Sequence, residues 1–250
     1  MTLACGIDIG GSGVKGALVD LETGTYSCES VVIETPAPAT PDSVAQVCGE
    51  LLHQLGVTDD TPVGITFPAP IIHGRVPFMA NLDPSWAGID VVELMDRHLG
   101  RTIVALNDAD AAGLGEAIYG AAKDVPGVVI VTTLGTGIGS AIINDGVLIP
   151  NSELGHLEID GHDAETQASA GQKTAQKLDW VTWAGRLQRY YSHVEMLFSP
   201  DLFVIGGGVS ANHEKFLPLL NLRTPVVPAK LRNTAGIVGA AYEAARAAHK

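Results

Sequence analysis

Residues 8–15 read DIGGSGVK, and the way they turn decides the fold. Upstream, ACGIDIG is an apolar run. Downstream, VKGALVD returns with apolar spacing, so the two flank the glycines as the strands of a β-hairpin. Gly10, Gly11 and Gly13 put no Cβ between the backbone N–H groups and an approaching anion, while Asp8 at the strand end suits a hydrated Mg²⁺. The stretch lacks the terminal GK[ST] of a Walker A loop and leads into a strand, not a helix. Taken alone, it is an ordinary hairpin.

Two further glycine turns change that weighting. LGTGIGS at 134–140 offers backbone donors at Gly135, Gly137 and Gly139 with the Thr136 hydroxyl. IGGGVS at 205–210 ends an apolar strand before a helical stretch. Between the turns, strands (SCESVVIET, VGITF, TIVALND, VVIVTTL, AIIND, GVLIP, DLFVIGGG) alternate with helices. The helices are residues 42–55 with Asp42 in the capping position, VVELMDRHLG, ADAAGLGEAIYGAA, WVTWAGRLQRYYSHVEMLF and a terminal helix from about 234 to 249. This order predicts an α/β protein of two sheet-based lobes with a boundary near Leu106. Each half opens with a strand, a glycine turn and a strand, as a distant duplication would.

The bulk properties narrow the function classes. The chain has 250 residues, 46% hydrophobic and 17% charged, with a net charge of -13 that disfavours nucleic acid as a partner. The charge is uneven: residues 1–125 hold 5 Lys+Arg against 17 Asp+Glu, and residues 126–250 hold 10 against 11. If the protein handles a polyanion, the second half is where it is expected; solvated helix faces are the alternative reading. Cys5, Cys28 and Cys48 form no short-spaced pair, which argues against a disulfide framework or a cysteine metal site. The opening MTLACGIDIGG has no basic leader, and no apolar run approaches the roughly 20 residues of a membrane helix. A cytoplasmic location follows as an expectation.

LNDADAAGLGEA at 106–117 places Asn107 as a helix N-cap, with Asp108 and Asp110 in the first turn. Phosphoryl transfer to a hydroxyl needs a carboxylate that accepts the hydroxyl proton and aligns the oxygen with the donor. A helix N-terminus keeps Asp108 ionised, which weakens it as a base but suits positioning. Asp108 is the candidate base; Asp110, two residues on, points elsewhere and reads as a cap or surface residue. In NSELGHLEIDGHDAETQASA at 151–170, metal-ligand types are dense but cysteine is absent. Glu153 and His156 share one side of a tight turn or helix by their spacing.

The ordered set DIGGSGVK, NDADAAG, LGTGIGS, ELGH and VIGGGVS resembles the ROK family of sugar kinases and repressors, within the actin-like ATPase (ribonuclease H-like) fold of two lobes flanking a cleft. NLDPSW at 81–86, LIPNSELGHLEIDG, SPDLFVIGGG and RTPVVPAKLRNTAGIVGAA are similar to its polyphosphate glucokinases and glucomannokinases, and the likeness runs through nearly the whole chain. It implies lobes of 1–106 and 107–235, with 236–250 as a terminal helix packing back on the first. It implies Asn107, Glu153, His156 and Glu165 as sugar-hydroxyl ligands with Asp108 as base. Asp8, Gly10, Gly11, Ser12, Lys15, Gly135, Thr136 and Gly137 become phosphate contacts, and Gly206, Gly207 and Gly208 face the rest of the donor. The cofactor implied is Mg²⁺ at Asp8 through water. Where many relatives carry three zinc-binding cysteines, IDGHDAE carries none, so structural zinc is not expected.

The resulting expectation is phosphorylation of the 6-hydroxyl of glucose, with mannose a candidate second acceptor, from inorganic polyphosphate, with ATP a candidate second donor. Lys173, Lys177, Arg186, Arg189, Lys215, Arg223, Lys230 and Arg232 are candidates for a polyanion track. Glu158, Asp160, His162 and Asp163 are read as loop polarity. A homodimer through the second lobe is the implied assembly. An ATP-only hexokinase and a non-catalytic sugar-binding protein are the competing readings; a sugar-responsive repressor needs a DNA-binding segment for which DIGG at residue 8 leaves no room.

Overall fold

A computed structural model describes residues 2–79 and 82–249; Ala80 and Asn81, the latter the first residue of NLDPSW, lie outside the described residues. By their contacts the residues form two compact units, Met1–Gly115 with Thr234–Lys250, and Glu116–Asn233.

In the first unit, β1 (Leu3–Ile9) and β2 (Gly13–Asp20) pair antiparallel, with Asp8 opposite Lys15. Alternation along β1 and β2 buries Cys5, Ile7, Ile9 and Val14. The stretch expected as one strand, SCESVVIET, supplies only β4 (Val31–Glu34); β3 (Thr25–Tyr26) is a separate short edge piece, and a bend separates the two. Helix α1 (Pro41–Gln54) starts one step earlier than its sequence suggests: Thr40, not Asp42, is the N-cap, with its side chain accepting from Ser43 N. Asp42 instead meets His98 Nε2 at 2.8 Å. Then come β5 (Val63–Phe67), α2 (Val91–Leu99), β6 (Val104–Asn107) and α3 (Asp108–Tyr119). α2 is capped by Asp90 and stopped by left-handed Gly100. The strand order is β3-β2-β1-β5-β6, with β1, β5 and β6 mutually parallel and β4 on β2.

The second unit repeats the scheme. β7 (Val128–Leu134), β8 (Ile138–Asn144) and β9 (Val147–Ile149) run antiparallel. A small hairpin, β10 (Glu158–Ile159) and β11 (His162–Asp163), precedes α4 (Glu165–Ala168), α5 (Ala170–Ala175) and α6 (Trp180–Phe198). β12 (Leu202–Gly206) and β13 (Val226–Pro228) then join β7 in parallel, giving the order β13-β12-β7-β8-β9. The matching connectivity is what a duplication would leave. The core here is aromatic: Trp183, Tyr190, Tyr191, Phe203 and Phe216 are all buried, and Tyr191 and Thr132 share a hydroxyl–hydroxyl hydrogen bond of 2.7 Å.

The last helix, α7 (Ala235–Ala248), belongs to the first unit and lies on β1 and β5. Its approach depends on missing side chains: a Cβ at Gly6 would strike Ile237 O, and one at Gly64 would strike Ala240 O. Gly115 on α3 makes the same kind of close pass at Ala235. The division by contacts accordingly runs through α3, whereas the sequence alone suggested the strand–helix junction at Leu106.

Candidate functional site

The first unit brings together the acid, the first glycine turn and the junction of β6 with α3. Asp8 is half-buried, and its Oδ1 accepts from the Thr66 hydroxyl at 2.7 Å, a contact created by the parallel β1–β5 register. No local motif announces Thr66, because it lies 58 residues away. The turn closes with Gly10 N–H donating to Gly13 O (3.1 Å) and the Thr35 hydroxyl donating to Gly10 O (2.6 Å). Gly11, Ser12 and Lys15 are exposed. Asp8 is a hard oxygen donor with one oxygen on a neutral hydroxyl, a donor type that fits a hydrated Mg²⁺.

At the end of β6, Asn107 is buried, and its Oδ1 accepts from Ala109 N (2.8 Å) and Asp110 N (3.1 Å), as an N-cap does. Asp108 Oδ1 accepts from Ala109 N at 2.8 Å, so the helix start orients this carboxylate while leaving it partly exposed. Asp110 is only 2% exposed, which corrects its reading as a surface residue: the first turn of α3 faces inward because small alanines and glycines let neighbouring backbone close over it.

In the second unit, the turn at Gly135–Gly137 closes with Gly135 N–H on Gly137 O, and Gly171 N–H donates to Gly135 O at 2.8 Å. Gly135 and Thr136 are exposed. Glu165 lies against this turn: its Oε2 accepts from Ile138 N at 2.9 Å, and a Cβ at Gly137 would collide with it. In the third turn Gly206 is buried and Gly208 exposed. Gly207 is left-handed (φ 79°) and packs so tightly on Leu134 backbone that no other residue fits.

Glu153 precedes and His156 ends a 3-10 turn (Leu154–His156) pinned to β8 by Leu154 N–H on Ser140 Oγ (2.9 Å) and by the bare Cα of Gly155 against Ile138 O. Burial pushes the Glu153 carboxyl above its usual range, a shift that nearby His156 opposes and Glu165 adds to. His156 Nδ1 is 2.8 Å from Asp163 Oδ2, and this hydrogen bond raises the imidazole above its ordinary pKa against the effect of burial. Asp163 Oδ1 also accepts from Glu165 N at 3.2 Å. Asp163 is therefore not loop polarity; it ties His156 to the segment that carries Glu165. The signal that could have revealed it is the two-residue spacing to Glu165, too common to notice without the hairpin β10–β11 that folds it back.

Ligand-type atoms of His156, Asp163 and Glu165 lie within 4.8 Å of one another. They are one imidazole and two carboxylates, with oxygens already engaged by His156, Glu165 N and Ile138 N. Asp160, also read as loop polarity, forms a two-point pair with Arg189 (2.7 and 2.8 Å) beside a cavity of ≈ 200 Å³ that none of the expected sugar or glycine-turn residues lines, though Arg186 and Arg189 do. Of the candidate track cations, Arg189 is thus paired, Arg223 meets Glu195 at 3.3 Å, and Arg186 donates to Gln167 O and Gln176 Oε1.

Comparison with known proteins gives four findings. The sequence profile of the ROK family matches residues 4–174. The chain is 48% identical over 239 residues to polyphosphate glucokinase of Mycobacterium tuberculosis, covering 94% of this chain and 89% of that protein. The crystal structure of inorganic polyphosphate/ATP-glucomannokinase from Arthrobacter sp. strain KM superposes with a TM-score of 0.93 at 54% identity, covering 99% of this chain and 100% of that one. A ROK family glucokinase from Streptomyces griseus, solved with glucose and AMPPNP, aligns with a TM-score of 0.82 at 24% identity, over 98% of this chain and 99% of that one, and shares the fold. The α/β architecture is the actin-like ATPase fold.

Proposed function

The chain belongs to the ROK family, and from that premise we propose that it transfers a phosphoryl group from inorganic polyphosphate to the 6-hydroxyl of glucose. The observation that carries the reading is the placement of Glu165. One of its oxygens holds Ile138 N–H at the second glycine turn, while its carboxylate lies within 4.8 Å of His156 and Asp163. Hydroxyl-binding groups and a backbone anion cradle are thus joined by a single side chain.

In this reading Asp108 accepts the proton of the 6-hydroxyl as its oxygen attacks the terminal phosphorus of the donor. The loose transition state asks little basicity of it, so the fixed orientation from Ala109 N matters more than pKa. Asn107 spends Oδ1 on the helix and meets the sugar with its amide NH₂. Glu153, His156 and Glu165 take paired hydrogen bonds from the remaining hydroxyls, a pattern that rejects sugars leaving one of them unpaired. Asp163 positions His156 and fixes which ring nitrogen faces outward. Gly10, Gly11, Ser12, Lys15, Gly135, Thr136 and Gly137 receive the phosphates, with Gly206 to Gly208 beside the rest of the donor. Asp8, steadied by Thr66, would hold Mg²⁺ through water, and the ion when bound neutralises charge on the transferring group. No structural zinc belongs to this scheme.

ATP as second donor and mannose as second acceptor are part of the proposal, supported by the similarity to the Arthrobacter protein. So are a cytoplasmic location and a homodimer, tested by cell fractionation and by sedimentation. No helix among the described residues is long and apolar enough to cross a membrane. The deciding experiment is an activity matrix of polyphosphate and ATP against glucose and mannose with Mg²⁺ present. Turnover of glucose with polyphosphate is expected, and its absence would overturn the reading; turnover with ATP alone would establish the hexokinase alternative.

A further inference from the structure

Two of the eight candidate track cations have a different kind of partner from Arg186, Arg189 and Arg223. The Lys173 ammonium lies 4.1 Å from the centroid of the Trp180 ring, and the Lys215 ammonium 5.3 Å from the same centroid. Trp180 is in turn fixed by stacking on Phe216 (6.0 Å, 10°) and by an edge contact with Trp183 (5.9 Å). An aromatic face holds an ammonium in place without cancelling its charge or occupying its N–H donors as a carboxylate would. Among the described residues, neither lysine is in an ion pair. Asp179, near Lys173, uses a carboxylate oxygen to cap α6 on Thr182 N (2.7 Å). Two like charges gathered on one ring repel each other, and a bound anion relieves that cost.

The placement of the pair identifies the anion. Lys173 is two residues past Gly171, whose N–H donates to Gly135 O in the second glycine turn. Lys215 closes the 3-10 stretch that opens at Gly208, the last glycine of the third turn. The segment that packs on the second turn and the segment that runs on from the third therefore converge on Trp180. We propose that Lys173 and Lys215, held on Trp180, form a subsite for the distal phosphates of a linear inorganic polyphosphate, beyond those cradled by the glycine turns. The proposal rests on the donor assignment above. A lysine is a point charge that accepts phosphates in many orientations, which suits a chain of variable register better than a fork-shaped guanidinium. The subsite distinguishes donors by length: a long chain reaches it, and a short one such as ATP ends sooner.

The test compares wild type with Lys173→Gln/Lys215→Gln in glucose phosphorylation by long-chain polyphosphate, by tripolyphosphate and by ATP, across a salt series. Loss of two charge-assisted contacts should raise the long-chain KM by about tenfold and flatten its salt dependence, while the tripolyphosphate KM moves less than about twofold. Lys123→Gln, an exposed cation elsewhere in the chain, controls for net charge and should leave the long-chain KM in place. Trp180→Phe keeps an aromatic platform and should retain most of the long-chain preference, which guards against a misfolding artefact. An unchanged long-chain KM in the double variant, or equal increases for all three donors, overturns the subsite. A wild-type enzyme inactive with every polyphosphate overturns instead the donor assignment on which it rests.

Discussion

The first and second glycine turns occupy equivalent places in sheets of the same connectivity, yet they are built from different residues. In the first, the penultimate residue of the leading strand is Asp8, facing Lys15 across the hairpin and Thr66 on the parallel strand. In the second, that place is Thr133, facing Gly139 and Gly206. The first turn runs through residues 10–13 and the second through 135–137, one residue shorter. Charge at the first turn is intrinsic to its strands. At the second it is imported from outside the sheet, by Glu165 on Ile138 N and by the Lys173 segment through Gly171. On the roles proposed above, both turns receive phosphate, the first adds a metal-binding acid, and the second adds hydroxyl recognition and donor extension.

The largest effect is expected at the start of α3. Asp108→Ala should lower kcat by about 10³-fold or more while glucose binding measured by calorimetry persists; near-normal turnover would remove Asp108 as base. Next in size, Asp8→Asn should cost about 10²-fold in kcat/KM and raise the Mg²⁺ needed for half-maximal rate, whereas Thr133→Ser at the equivalent place changes either little. Equal losses in the two variants would erase the asymmetry. Gly64→Ala probes the scaffold beneath the first turn: forcing a methyl group against Ala240 O should destabilise by about 1–3 kcal/mol in denaturant unfolding without altering the KM for glucose of the folded fraction.

The smallest effect is a titration. Asp163 raises His156, so the imidazolium is favoured below the ordinary histidine pKa and persists up to the raised value; the pair's contribution is lost as pH rises through it. Both groups are well exposed to solvent, which keeps the energy small. Asp163→Asn should move the His156 midpoint, followed by NMR, to lower pH and shift the alkaline rise of the glucose KM in the same direction. A midpoint that stays where it is would show that Asp163 does not tune His156.

Much of this was legible in one dimension because it depends on local chemistry. Hairpins announce themselves by glycines between apolar runs, and α6 appears at the residues its periodicity marks, Trp180–Phe198. Asn107 caps α3 as its residue type favours. Local reasoning failed where a competing neighbour lay close by: Thr40 took the cap expected of Asp42 because its side chain reaches Ser43 N from an extended backbone. It failed again at Asp110, buried by packing that no spacing rule contains.

The sequence by itself determined the α/β alternation, the three glycine turns, the acid at Asp8, the capped start at Asn107 and Asp108, and the absence of cysteine from the His156 segment. Each is a property of residues within a few positions of one another. Tertiary structure alone decided that Thr66 steadies Asp8, that Asp163 holds His156, that Glu165 leans on the second turn, and that Lys173 and Lys215 share Trp180. Those contacts arise from strand register, a folded-back hairpin and helix packing, which bring together side chains whose separation along the chain carries no trace of their meeting.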